Sequence, residues 1–443
     1  MGKSATKDMT AGAPLKLILQ FFVPMFFGML FQQFYNMMDT IIVGKALGVN
    51  ALAAVGATGS INFMIIGFCM GVCSGFAIPV AQRFGAGDYH ALRKYVANSV
   101  WLSAIFAGVM TVVVCVLCRQ ILLWMRTPQD IFDGAYSYIF VIFVGIPVTY
   151  LYNLLSGIIR SLGDSRSPLI FLVFSSLLNI ALDLLLILSF HLGVAGAAYA
   201  TVISQAVSGI LCLIYMRKKF EVLKMTKEEW RMERGYMLHL CNMGIPMGLQ
   251  YSITAIGSVI LQTAVNTLGS TAVASVTAGS KVGMFFACPF DAMGATMTTY
   301  AGQNVGAGKE KRARQTLFTG IGVGLVVGCF VFCFVMFRGD LLAGIFTTDT
   351  AVIQRGYEYL KGFAPETIMT VFLFSMIGYF NGNNRTVWVM TQGMIQTLLI
   401  RLPFAYVMSI QPDASLTMIG LAAPVSTTVG VVMCAVYYWH MNH

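Results

Sequence analysis

The chain has 443 residues, 57% hydrophobic and 10% charged, whereas a soluble domain carries about 25% charged residues, so most of it cannot face water. Its formal net charge of +10 does not indicate a nucleic-acid partner, because the basic residues stand in short loops between apolar runs. A mean hydropathy of +0.76 spread over many segments points to many membrane spans, and the lack of short alternating segments excludes a β-barrel.

From the start of the chain, the first fourteen residues are polar. The first apolar run, from Leu15, has no small-residue cleavage signature and continues into a full span, so no signal peptide is expected. Gly2 and Thr6 match a myristoylation pattern that short sequences often meet by chance. Apolar segments then fall at 15–46, 51–82, 95–124, 136–159, 168–190, 193–216, 237–266, 272–301, 316–337, 356–380, 386–410 and 416–439. A helix crosses the ~30 Å hydrocarbon layer in roughly 20 residues, which makes twelve predicted spans. The long polar stretch from Arg217 to Arg234 is read as a connector, dividing the chain into a lobe at 1–216, a connector at 217–236 and a lobe at 237–443. Most of the ten cysteines lie inside apolar runs as small hydrophobes, and Cys115 and Cys118 lack the second pair or histidine that a zinc site needs. Gly320, Gly324 and Gly328 read as close helix packing, and no Walker-type phosphate loop is present, so ATP is not expected to drive the protein.

Orientation follows from the basic residues. Placing the N-terminus and every loop after an even-numbered helix on one side collects 20 of the 28 Lys and Arg, against Lys45, Arg119, Arg126, Arg338 and Arg355 on the other. The positive-inside rule makes both termini cytoplasmic, in the plasma membrane.

An internal repeat organises these spans. LGVNALAAVGATGS at 47–60 resembles LGSTAVASVTAGS at 268–280, and the same offset of 221 lays QRFGAG at 82–87 on QNVGAG at 303–308. Tyr136 and Tyr138 match Tyr357 and Tyr359 at 221, and Ser156, Gly163 and Arg166 match Ser375, Gly382 and Arg385 at 219. Six helices per repeat is an even number, so both halves enter the membrane in the same sense. The expected fold is an all-α polytopic membrane protein, two six-helix bundles related by a pseudo-two-fold axis along the membrane normal and suited to alternating access.

YNMMDTIIVGKALG ending the first predicted helix, the paired GAG loops and SLGDSR after the fourth resemble, in order and spacing, the multidrug and toxic compound extrusion (MATE) family. The resemblance runs over nearly the whole chain, and it is closer to the DNA-damage-inducible and archaeal branches than to the norfloxacin-resistance branch. It implies a monomeric antiporter, without a cofactor, that exports amphipathic cationic drugs or metabolites in exchange for Na⁺ or H⁺. The same superfamily holds lipid-linked oligosaccharide flippases, the alternative function, though those should show more helices and more cavity cations. A channel suits duplicated halves less well, and no Ser/His dyad or metal cluster in the spans suggests an enzyme.

A carboxylate inside a span is costly and is a functional candidate by default. Asp39 follows Tyr35 by four residues, and Asp183 follows Asn179 by four with Ser176 a turn earlier, so each set shares a helical face. Such oxygens suit Na⁺ or a proton; the plainer alternative is an interfacial Asp39 and a structural hydrogen-bond network around Asp183. The resemblance places an ion-coupling cluster on Tyr35, Asp39, Asn153, Asn179, Asp183 and Thr201, with Na⁺ held at Asp39, Asn179 and Asp183, and a hinge at Pro24. In the second half Lys281, Asp291, Glu366 and Arg401 are candidates for substrate contacts or ion pairs, and Lys281, if paired to a carboxylate, would form a buried ion pair. Helix 7 from Ile245 to Asn266 has no acidic residue, unlike the norfloxacin-resistance branch. Asp39 falls opposite Ile260 and Asp183 opposite Leu402 in the repeat, so chemistry is expected to differ between halves.

Overall fold

The computed structural model describes residues 6–266, 270–344, 350–411 and 415–442, with the backbone alone at 49, 258–266, 270–274, 277–278 and 343. Gly2, Leu268, Gly269 and the side chain of Ile260 therefore lie outside the described residues.

The described residues form twelve helical rods: α1 Pro14–Leu47, α2 Val49–Gly85, α3 Tyr89–Trp124, α4 Gln129–Val144 with Ile146–Ser161, α5 Arg166–Leu184, and α6 Gly193–Lys219. The second half continues with α7 Arg234–Asn266, α8 Ser270–Gly306, α9 Glu310–Gly344, α10 Thr350–Phe363 with Glu366–Gly382, α11 from Thr386 to Ser409, and α12 from Leu416 to Asn442. Two rods are bent at repeat-related places, α4 by 47° and α10 by 46°. Two others pass through π-helical turns, Leu185–Ser189 ending α5 and Ile395–Arg401 inside α11. Most rods run past the apolar limits read from the sequence, because apolar pattern marks the hydrocarbon slab rather than the last hydrogen-bonded turn. Capping fixes the true starts: Asp88 accepts the Ala91 N–H at 3.1 Å before α3, and Asp164 accepts those of Arg166 and Ser167 at 3.0 and 3.1 Å before α5. α1 stays helical through Pro24. Outward-facing side chains are apolar, with Val116 77%, Val326 74% and Phe330 72% exposed, as lipid contact requires.

The chain divides into two packed units, one of residues 1–11, 23–252 and 302–308, the other of 12–22, 253–301 and 309–443. In the first, glycines let backbones meet. A Cβ on Gly71 would lie 2.5 Å from Met247 O, and one on Gly75 would lie 2.5 Å from the Gly244 Cα, so α2 and α7 touch main chain to main chain. The ends of α2 and α8 cross more tightly still: a Cβ on Gly85 would stand 1.9 Å from Gln303 O, and one on Gly306 would stand 1.9 Å from Gln82 O. This reciprocal contact accounts for the repeated Gln-x-x-Gly of the two GAG loops.

The chain's first described residues are docked at the same place. The Gln303 side chain accepts the Met9 N–H at 2.9 Å and donates to Ser161 O at 2.8 Å, while Asn304 donates to Met9 O at 3.3 Å. The Lys7 N–H donates to Leu162 O at 2.9 Å, and Lys7 O lies against Gly163, whose φ of 90° and lack of a Cβ the contact requires.

In the second unit α9 packs through the three spaced glycines, Gly320 on Met297 of α8 and Gly324 and Gly328 on Val371 of α10, as their spacing predicted.

Between the units' main spans, the connector belongs to the first unit and is pinned to α3. Glu229, with 2% of its side chain exposed, accepts from Arg93 Nε at 2.8 Å, from the Thr226 N–H at 2.8 Å and lies 3.0 Å from His90 Nδ1. Burial pushes the Glu229 carboxyl up, but these donors outweigh it and hold it at about 2, below the ordinary 4.5. A lowered carboxyl adds stability above its unfolded value and loses it as pH falls through the folded one. The parent is thus expected to melt above Glu229→Gln at neutral pH and to lose that advantage between pH 4.5 and about 2. Parallel melting curves for the two proteins across that window would show that the ion pair does not hold the connector.

Candidate functional site

The first unit gathers polar side chains from α1, α4, α5 and α6 among apolar neighbours. Asp39 is 7% exposed, and Asn179 and Asp183 are fully buried on the Leu-rich α5. The Thr201 hydroxyl joins the helices: it receives the Tyr35 hydroxyl at 3.1 Å and the Asn179 amide at 3.4 Å, and donates to Ala197 O at 3.1 Å. The Asp39 and Asp183 carboxyls are within hydrogen-bonding reach of each other, and Tyr35 is in electrostatic contact with both.

Among the described residues no donor meets Asp39 Oδ1, either oxygen of Asp183 or Asn179 Oδ1. Four buried acceptors without donors cost about 1–3 kcal/mol each, and two adjacent carboxylates in low dielectric repel strongly. Oxygens arranged this way can hold a proton between carboxyls or a small hard cation, which fits the donor set of a Na⁺ site. Asn153 donates its amide to Thr149 O of its own helix at 2.8 Å.

Tyr138, noted in the sequence only as a repeat match, is buried on α4 in electrostatic contact with Asp39, Tyr35 and Asp183. Its repeat partner Tyr359 on α10 occupies the corresponding position in the second unit, in electrostatic contact with Arg401 and Glu366. There a hydrogen-bonded chain runs from the buried Gln392 to Gln396 at 2.6 Å, from Gln396 to Thr427 at 3.0 Å and from Thr427 to Glu366 Oε1 at 2.9 Å. Gly430 of α12 makes room for it, since a Cβ would lie 2.4 Å from Gln396 Oε1. Glu366 opens the half of α10 beyond the bend, where the free N–H groups of a helix start favour a carboxylate. The i, i+4 spacing of Gln392 and Gln396 was the available signal, of the same kind as Asn179 and Asp183.

Two expectations for this half are corrected or refined. Lys281 is exposed and makes no ion pair among the described residues, so the buried pair is not what these residues show. Asp291 keeps an exposed surface in the middle of α8, where a carboxylate facing hydrocarbon would be costly.

The family model described as MatE matches this chain twice, over residues 24–185 and 246–407, each match falling on one repeat. The protein named "Probable multidrug resistance protein YpnP" of Bacillus subtilis is 29% identical over 414 residues, covering 91% of this chain and 90% of its own. Thermotoga maritima's "Probable multidrug resistance protein NorM" is 27% identical over 395 residues, covering 85% and 82%. Among solved structures, an outward-facing multidrug resistance MATE family transporter of the MOP superfamily superposes with a TM-score of 0.91 at 24% identity, covering 97% of this chain and 96% of that one.

Proposed function

This chain belongs to the MatE family of membrane transporters, and on that premise we propose that it is a secondary antiporter, exporting amphipathic cationic drugs or metabolites in exchange for Na⁺ or H⁺. The observation that carries the reading is the donor-free oxygen cluster of Asp39, Asp183 and Asn179. Left empty it is electrostatically unfavourable, and a cation entering from the side of higher concentration relieves it, so occupancy changes which arrangement of the helices is stable. Tyr35, Thr201 and Asn153 complete the polar lining, and Pro24, where α1 lacks one backbone donor and passes from one unit to the other, is the hinge. The chain, with lobes at 1–216 and 237–443, works by alternating access as a monomer in the plasma membrane with both termini cytoplasmic. The acid-bearing first lobe, beside an α7 with no acidic residue from Ile245 to Asn266, supports a reading nearer the DNA-damage-inducible and archaeal branches than the norfloxacin-resistance branch. In the second lobe Glu366 and Asp291 supply negative charge for the cationic end of the substrate.

Purified protein in vesicles, loaded with a cationic dye and given an imposed Na⁺ or proton gradient, tests this directly. Uphill dye movement with one gradient is the expected result, and Glu366→Gln should slow it several-fold through weaker substrate binding, since a charged hydrogen bond contributes about 1.5–3 kcal/mol. No dye movement under either gradient, with lipid scrambling instead, would mean a flippase.

A further inference from the structure

Arg401 lies fifteen residues into α11, about 22 Å along the helix at 1.5 Å per residue, well inside the hydrocarbon thickness. An arginine at that depth is costly unless it faces the protein interior and finds a partner. It does face inward, half-buried and in electrostatic contact with Glu366 and Tyr359. Yet its guanidinium makes no hydrogen bond and no ion-pair contact among the described residues. Glu366 is incompletely satisfied: Thr427 donates to Oε1 at 2.9 Å and the Thr370 hydroxyl is within reach of the carboxyl, whereas Oε2 is buried without a closely placed donor. The two opposite charges therefore attract through space without forming the bidentate pair that a contacting arginine and carboxylate make. Here the Gln392–Gln396–Thr427 chain holds the carboxylate from its other side, and Arg401 ends the π-helical turn, which re-aims it relative to an ordinary helix.

We propose that Arg401 and Glu366 form the two poles of a binding site for zwitterionic amphiphiles, Arg401 receiving the ligand's carboxylate and Glu366 Oε2 its cationic or N–H donor end. The planar fork of Arg401 matches a carboxylate at two points, and the buried Tyr359 is in electrostatic contact with both poles. The site deepens the substrate class of the transport reading and rests on the second lobe contacting the transported molecule. It predicts that an anionic group on a cationic drug strengthens binding, where an all-acidic site would reject it.

A zwitterionic rhodamine with a free benzoate and its methyl ester share one cationic ring system and differ only in the anionic group. Fluorescence polarisation with the purified full-length protein, without any gradient, measures both. The parent should bind the free acid more tightly than the ester. Arg401→Gln should weaken the free acid on the order of tenfold while changing the ester less than about twofold, and Arg401→Lys should restore part of the difference. Glu366→Gln should weaken both dyes alike. Equal loss of both dyes in Arg401→Gln, an unchanged preference, or no binding of either dye would overturn the site. Loss of gradient coupling would leave this readout intact, so failure of the antiport reading is distinguishable.

Discussion

Asp39→Asn and Asp183→Asn are each expected to abolish uphill dye efflux, to the level of protein-free vesicles, while leaving dye exchange in the absence of a gradient. Asparagine keeps the shape of a protonated aspartate and removes the charge, so either variant fixes the cluster in a state resembling the ion-loaded one. Each variant also puts an amide donor among oxygens that have none, relieving the repulsion that made the cluster demand a cation. Under the proposed antiport the ion gradient can do work on the dye only if the cluster is loaded on one side and emptied on the other, so a site fixed in a loaded-like state cannot couple the two. One charge moving through 100 mV brings about 2.3 kcal/mol, roughly a 50-fold concentration ratio, and that whole ratio should vanish. Measured dye ratios across the vesicle membrane with each variant decide the matter. Uphill efflux retained by both would remove the cluster from the coupling step.

Gly85→Ala and Gly306→Ala should each cut transport at least about tenfold without preventing membrane insertion. A single methyl group at either place meets a backbone carbonyl oxygen at 1.9 Å. Neither partner is a flexible side chain, so the ends of α2 and α8 must separate, and packed interiors do not stretch continuously to absorb such a clash. The variants should therefore disfavour the arrangement in which these ends meet, which under the proposed alternating access is one state of the cycle. Gly108→Ala on α3, where a Cβ meets nothing within 4 Å, is the control that should leave transport unchanged. Efflux rates and size-exclusion profiles of the three proteins separate this effect from misfolding. Normal rates in Gly85→Ala would show that the crossing opens and closes with slack to spare.

Much of this was legible in the sequence for identifiable reasons. Twelve spans, their repeat and the close packing of Gly320, Gly324 and Gly328 are periodic features, and period survives without coordinates. Asn179 and Asp183 declared themselves because polar residues four apart in a leucine-rich run must share a face. What the sequence could not supply was azimuth, the direction in which a residue on a rod points. Lys281 and Arg401 both read as intramembrane cations, yet one is exposed and the other turns toward Glu366. The Gln392–Gln396 chain escaped notice because uncharged amides raise no alarm on a hydropathy count. The Gln-x-x-Gly repeat was visible as a pattern, while its cause, two helix ends crossing at backbone distance, belongs to tertiary structure.

The docked chain start also bears on how the protein is made. Met9 is bonded to residues 294 and 295 positions further on. The segment around Met9, made before the first helix, must therefore wait until the eighth helix has been synthesised and inserted. Its fixation belongs to the late steps of assembly. Chains halted after the sixth helix have Leu162 and Ser161 to offer it but lack Gln303 and Asn304, so a nascent first half should carry a protease-sensitive N-terminus that the finished protein protects.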